Sequence, residues 1–170
     1  KNKKNFFSNN SVYQKQWLAA QKRFAEEENI KSTYPQKFGI AAINYSKKTI
    51  KDVQAKATKK NPEAPMYQRL QAYLSLAFYS VSSQLIAGNK NTEARRFVTL
   101  YQMADSSNSE AWYFAAILDA RDHNTKATKD DLEKAVSLGF NDKKRFESQP
   151  EFESGDISIN LSEIESKMKP

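Results

Sequence analysis

The chain has 170 residues, 39% of them hydrophobic and 28% charged, so one domain can bury a substantial core without covalent cross-links. Only four glycines and five prolines are present, which argues against an all-β fold, and the absence of cysteine excludes disulfides and thiol catalysis. No apolar run approaches the roughly 18 residues that a membrane-spanning helix requires.

The formal net charge of +7 is unevenly distributed. Residues 1–60 contain 14 Lys and Arg against four acidic residues, a balance of +10, whereas residues 61–170 carry −3. Such asymmetry is typical of chains that bind nucleic acid, an anionic surface or an acidic partner. Solvated helix faces and a basic tether produce the same pattern, and we favour that interpretation.

The chain begins Lys-Asn-Lys-Lys instead of with methionine. A polar start of this kind is typical of a mature chain whose export signal has been removed. We therefore expect the cell envelope or periplasm of a bacterium in preference to the cytoplasm. Residues 1–10 are predicted to form an irregular arm in which Phe6 and Phe7 are suited to dock on the body.

Apolar residues at helical spacing then predict a succession of helices. The first begins at Ser11, the second runs from about Gln36 to Lys59, and the third follows Pro65. The third pattern is the clearest, because apolar residues recur every three or four positions over five turns, at Met66, Leu70, Tyr73, Leu74, Ala77, Phe78, Val81 and Leu85.

Capping signals divide the rest of the chain into shorter helices. Ser107 and Glu110 have the spacing of a capping box, Thr125 is predicted to begin the next helix, and Gly139 to close it. A last helix follows Asn160. No segment alternates with period two over a useful length, so the predicted fold is all-α.

Two parts of the sequence align with each other when one is shifted along the chain. Phe78 then falls on Trp112, Ser82 on Ala116 and Val98 on Leu132, so that bulky residues meet bulky ones and small residues meet small ones. Small residues are required where two helices of a hairpin cross closely. This pattern resembles the tetratricopeptide-repeat family, whose repeat is about 34 residues long, the same as the spacing from Phe78 to Trp112.

The resemblance implies a right-handed superhelix of antiparallel helix pairs, with about six main helices and short C-terminal helices. It assigns residues 11–170 to one helical domain, in which 75–108 and 109–142 are the recognisable repeats. Asp119, Thr128 and Phe140 depart from the family pattern. Trp112 is expected to be mostly buried.

The tail, residues 143–170, is similar to the ends of bacterial tetratricopeptide-repeat chains, where a short helix covers the apolar face of the last repeat. A solenoid needs such a cap for solubility. Phe146 and Phe152 are predicted to be the covering residues.

Little in the sequence indicates chemistry. His123, the single histidine, lies near Asp119 and Asp122 at a spacing that suits a metal, but a solvated turn explains it better. No phosphate-binding glycine loop or nucleophile elbow is present. We therefore expect no enzyme activity, no metal and no cofactor.

The predicted function is a non-catalytic scaffold that binds a protein or peptide on its concave face. Nucleic-acid or anionic-surface binding by residues 1–60 is the alternative. In the family the first helix of each pair lines the groove, which implies a partner-binding set of Tyr79, Ser83, Glu110, Tyr113, Ile117 and Arg121. The competing interpretation is that this face packs on the second helix or on the N-terminal arm.

Overall fold

The structure, a computed structural model, describes residues 47–153 and 157–169. These residues form helices and turns without any strand, which confirms the all-α prediction. The arm, the first predicted helix and the start of the second lie outside the described residues. The helices are α1 (Lys47–Lys56), α2 (Ala64–Ala87), α3 (Asn91–Ala104), α4 (Ser109–Arg121), α5 (Thr125–Ser137), α6 (Lys143–Glu147), α7 (Pro150–Glu153) and α8 (Leu161–Ser166).

The chain divides into two compact units, Lys1–Leu70 and Gln71–Pro170, and the boundary falls within α2. In the first unit, Asn61 organises the turn between α1 and α2. Its side chain donates to the carbonyl of Lys56 at 2.7 Å and accepts from the amide of Glu63 at 3.1 Å. One side chain therefore satisfies backbone groups at the end of one helix and the start of the next.

The second unit contains two helix pairs whose turns occupy equivalent positions, one repeat apart. The spacing from the end of α2 to the end of α4 equals that from the start of α3 to the start of α5. Asn89 (φ 54°) and His123 (φ 56°) occupy the left-handed position of the two turns. The following amides, of Lys90 and Asn124, each donate to the carbonyl five positions earlier at 2.9 Å. Both turns are thus the same Schellman-type helix ending.

Buried side chains join the helices of each pair. In the first pair, Phe78 of α2 lies 6.5 Å from Phe97 of α3, and both rings are almost fully buried. Small residues occupy the equivalent crossing positions, Ser82 in α2 and Ala116 in α4, each without exposed surface. The small-residue rule derived from the sequence therefore holds in both pairs.

Asparagine side chains cap several of these helices. Asn108 caps α4 by accepting from the amide of Glu110, so the cap lies immediately after the predicted Ser107. Asn124 and Asn160 cap α5 and α8. Helix α3 follows Lys90, whose side chain makes no capping bond.

Trp112 is less buried than the repeat pattern leads us to expect. Its side chain is only partly buried, whereas Phe78, at the equivalent position of the preceding repeat, has no exposed surface. The indole Nε1–H donates to the carbonyl of Ser106 at 3.1 Å, and the ammonium of Lys134 lies 5.7 Å from the ring. Tyr113 and Phe114 are the fully buried aromatic residues of α4.

The segment after α5 turns back onto the helix pairs. Gly139 adopts φ 103°, a left-handed value that glycine tolerates, and the amide of Phe140 donates to the carbonyl of Ala135 at 3.0 Å. Helices α6 and α7 follow, and their residues Phe146 and Phe152 are buried, as predicted. Across the described ranges, no helix is both long and apolar enough to cross a membrane.

Candidate functional site

The six predicted partner-binding residues lie on α2 and α4, one helix in each pair. Tyr79 is 39% exposed and Ser83 of α2 is half-buried. Tyr113 has no exposed surface and Ile117 of α4 has 3%. Although these are equivalent positions of successive repeats, their accessibility differs completely.

Tyr113 is enclosed by the segment that follows α5. Its ring stacks on Phe140 at a centroid distance of 4.3 Å and meets Phe152 edge-on at 5.8 Å. The hydroxyl lies 3.1 Å from Oε1 of Gln149, to which it donates. Burial raises the pKa of the Tyr113 hydroxyl, so it is a neutral donor at every ordinary pH.

Arg145 and Glu110 form a charged contact beside this tyrosine. A terminal nitrogen of Arg145 donates to both carboxylate oxygens of Glu110, each at 2.8 Å. The same guanidinium lies over the Tyr113 ring at 4.4 Å and over the Phe114 ring at 5.7 Å. The ion pair and the cation–π attraction therefore both hold α6 against α4.

Arg121 provides a second charged contact at the other end of α4. It donates to Glu151 at 2.7 and 2.8 Å, to the carbonyl of Ile86 at 2.9 Å and to Asn91 at 2.7 Å. Burial disfavours a charged Glu151, but hydrogen bonds from Gln149 and Arg121 outweigh that effect and lower its pKa. One guanidinium therefore joins α2, α3, α4 and α7.

These contacts correct part of the predicted site. Glu110, Tyr113, Ile117 and Arg121 are engaged by the protein's own residues or buried, and residues 140–153 cover the face that they form. The physical reason is that Phe140 and Phe152 of this segment lose contact with water by packing on Tyr113, and Phe146 does so by packing on Phe152. The competing interpretation assigns the cover to the second helix or the N-terminal arm, whereas the rings that contact Tyr113 are those of Phe140 and Phe152, which follow α5.

On the equivalent face of α2, Leu76 and Tyr79 are exposed within the part of the chain that the structure describes, and we call this the open face. Leu76 is 70% exposed, the largest exposed fraction among the big hydrophobic residues described. The Tyr79 ring is held in place by two buried rings, because it stacks on Phe114 at a centroid distance of 5.4 Å and meets Tyr101 edge-on at 6.3 Å. An exposed leucine beside a tyrosine held rigidly by other rings has the composition of an interface anchor.

A charged cluster that sequence reasoning missed lies between α3, α4 and α5. Arg95 donates to Asp119 at 2.8 Å and to Asp122 at 2.7 Å. Asp119 is largely buried and also faces Asp131, whose pKa is raised to about 7 by burial and by the Asp119 carboxylate. Asp131 is the repeat equivalent of Phe97, so a carboxyl occupies a position that is apolar core in the preceding pair.

This cluster includes the two carboxylates that lie near His123 in the sequence. Asp119 and Asp122 both form ion pairs with Arg95. Within residues 47–153 and 157–169, no group of three or more His, Cys, Asp or Glu side chains is arranged to hold a metal ion. Arg95 and Arg145 both form ion pairs with carboxylates of this chain.

Comparison with known proteins adds no relative. No protein-family model matches the chain, and neither the curated proteins nor the solved structures include a significant match.

Proposed function

We propose that this chain is a non-catalytic, tetratricopeptide-like scaffold that binds a protein or peptide on the open face of α2. The observation that carries the proposal is the exposure of Leu76 and Tyr79. The equivalent of Tyr79 one repeat later, Tyr113, is covered by the rings of Phe140 and Phe152. A right-handed superhelix of helix pairs is the arrangement we propose for the repeats.

Two further features support a binding role. The turns after α2 and α4 have the same hydrogen bonds and a left-handed residue at the same position, at the spacing of the family that the sequence resembles. The Tyr79 ring is held by two neighbouring aromatic rings, so little side-chain entropy remains to be lost when a partner binds.

The test is affinity capture of partners with the immobilised full chain. The wild type is compared with Leu76→Glu, which places a charge on the open face, and with Thr92→Glu, which places the same charge at an exposed position of α3. We expect one set of captured proteins to be retained by Thr92→Glu and lost by Leu76→Glu. Identical capture by all three proteins would contradict the proposal.

Salt dependence separates this function from binding to phosphate groups. Contacts with phosphate weaken steeply with salt, because binding releases condensed counterions. We expect capture through Leu76 and Tyr79 to change little between about 50 and 200 mM salt, whereas a nucleic acid held by several phosphate contacts loses about a thousandfold or more in affinity.

A further inference from the structure

The covered face of α4 shows what kind of segment packs on this helix position. Phe140, Phe146 and Phe152 all lie within residues 140–153 and are between 1% and 4% exposed. Two of the three contact Tyr113 directly. The occupant of the later face is therefore a short segment with aromatic side chains. Phe146 and Phe152 lie on helices of five and four residues, and Phe140 precedes both helices.

The open face of α2 retains the tyrosine but lacks both charges. Tyr79 corresponds to Tyr113, while Leu76 stands where the later pair has Glu110. Ala87 likewise stands where the later pair has Arg121. The carboxylate that pairs with Arg145 and the guanidinium that pairs with Glu151 are therefore missing at the equivalent positions of α2, and an occupant that repeated those two charges would bury them without these partners, which is costly.

The two faces belong to one continuous row of aromatic rings. The Arg145 guanidinium lies over both Tyr113 and Phe114, and Phe114 stacks on Tyr79. The covered interface thus continues without a break to the open face. The chain's own aromatic segment is already buried on α4, so in a second copy the same segment is not free to fill this position.

We infer that the face formed by Leu76 and Tyr79 binds a short peptide segment of another protein, anchored by aromatic side chains and carrying apolar residues where residues 140–153 carry Arg145 and Glu151. This inference rests on the proposed function and specifies the chemistry of its partner. Aromatic pairing with the Tyr79 ring supplies specificity, and Leu76 supplies apolar area.

The probe is a fluorescent peptide that copies residues 140–153 with Arg145→Leu and Glu151→Leu. Its binding to the full-length protein is measured by fluorescence anisotropy. Two matched peptides accompany it: one in which the three phenylalanines are alanine, and one with the unaltered sequence of residues 140–153. The proteins are the wild type, Leu76→Glu, Tyr79→Ala and Thr92→Glu.

We expect the substituted aromatic peptide to bind at least tenfold more tightly than the alanine peptide and more tightly than the unaltered sequence. Leu76→Glu and Tyr79→Ala should each weaken that binding by at least tenfold, and Thr92→Glu should leave it unchanged. Equal binding of the aromatic and alanine peptides, or binding that Leu76→Glu does not weaken, would overturn the inference.

Three other results would also overturn it and would show which assumption fails. If capture of natural partners depends on Leu76 but no peptide shows aromatic dependence, the scaffold function stands and the partner chemistry is wrong. If neither capture nor peptide binding depends on Leu76, both fail. A dimer seen by sedimentation that Leu76→Glu dissociates, without peptide binding, would assign the face to a second copy.

Discussion

The faces around Tyr79 and Tyr113 share a repeat position and end in the same helix turn, yet one is open and the other is buried. The backbone repeat therefore does not determine which surface is available. The segment after the last repeat does, because its Phe140 and Phe152 pack on Tyr113 and its Phe146 packs on Phe152. This difference between the two faces can be tested by substitutions in the segment that covers α4, compared with substitutions on the exposed face of α2.

The largest effect should follow from removing part of the cover. Phe146→Ala deletes a ring that is 1% exposed and packs on Phe152, so we expect the free energy of unfolding to fall by about 3–5 kcal/mol. Chemical denaturation measures the change. Leu76→Ala on the open face is the matched control and should change stability by less than about 0.5 kcal/mol. Equal losses from the two substitutions would show that the faces do not differ.

The second effect concerns the charged contact that fastens the cover. Arg121→Ala removes the partner of Glu151 and further hydrogen bonds to Ile86 and Asn91, in a contact whose side chains are only 16% and 17% exposed. We expect a loss of about 2 kcal/mol in denaturation experiments. Lys167→Ala, which breaks an ion pair with Glu133 at the surface, should cost less than about 1 kcal/mol. A cost for Arg121→Ala as small as that of the control would contradict this role.

Much of the fold could be predicted from the sequence because the helix-capping residues and the apolar spacing agree with the way the helices pack in pairs. The internal repeat identified both helix pairs, and the start of α5 at Thr125 and its glycine ending at Gly139 were correct. The cap of α4 was misplaced to the neighbouring residue, since Asn108 and Ser107 are both good capping residues and only the path of the chain decides between them.

The site was predicted less well, for a physical reason. Periodicity shows which side of α4 is apolar, but it does not show whether that side meets solvent or a later segment. Phe146 and Phe152 were correctly expected to cover something, yet Tyr113 and Arg121 were still assigned to a partner. The charges that fasten the cover, Arg145 and Glu151, pair with residues 30 or more positions away, and no local pattern reveals such pairs.

A third prediction uses the position where the two pairs differ in polarity, Phe97 in one and Asp131 in the other. Asp131→Asn keeps a group able to hydrogen-bond to Asp119 and removes the charge. We expect the variant to be more stable than the wild type by about 1 kcal/mol at pH 8, a modest figure because Asp131 remains partly open to solvent. Thermal or chemical denaturation across the pH range measures the difference.

The sign follows from the raised pKa of Asp131. In the folded protein the pKa is about 7, against an ordinary value of 3.8, so the folded state retains a proton that the unfolded state has lost. This contribution to stability is fully present below about pH 4 and disappears as the pH rises through about 7. The gain from Asp131→Asn should therefore vanish at low pH. A gain that is the same at pH 4 and pH 8 would exclude Asp131 as its origin.

The smallest effect should come from making the first helix crossing resemble the second. Ser82 has no exposed surface, and among the described residues its hydroxyl has no hydrogen-bond partner, whereas Ala116 occupies the equivalent position without any polar group. A buried hydroxyl without a partner has lost its bonds to water and gained none in return. Ser82→Ala removes that cost and raises helix propensity, so we expect a gain of about 0.5–1 kcal/mol in the free energy of unfolding, measured by chemical denaturation.

Ala116→Ser is the reciprocal variant and should destabilise the protein by a similar amount. If Ser82→Ala instead lowers stability, the hydroxyl is held by a buried water, and the two crossings differ in hydration as well as in sequence.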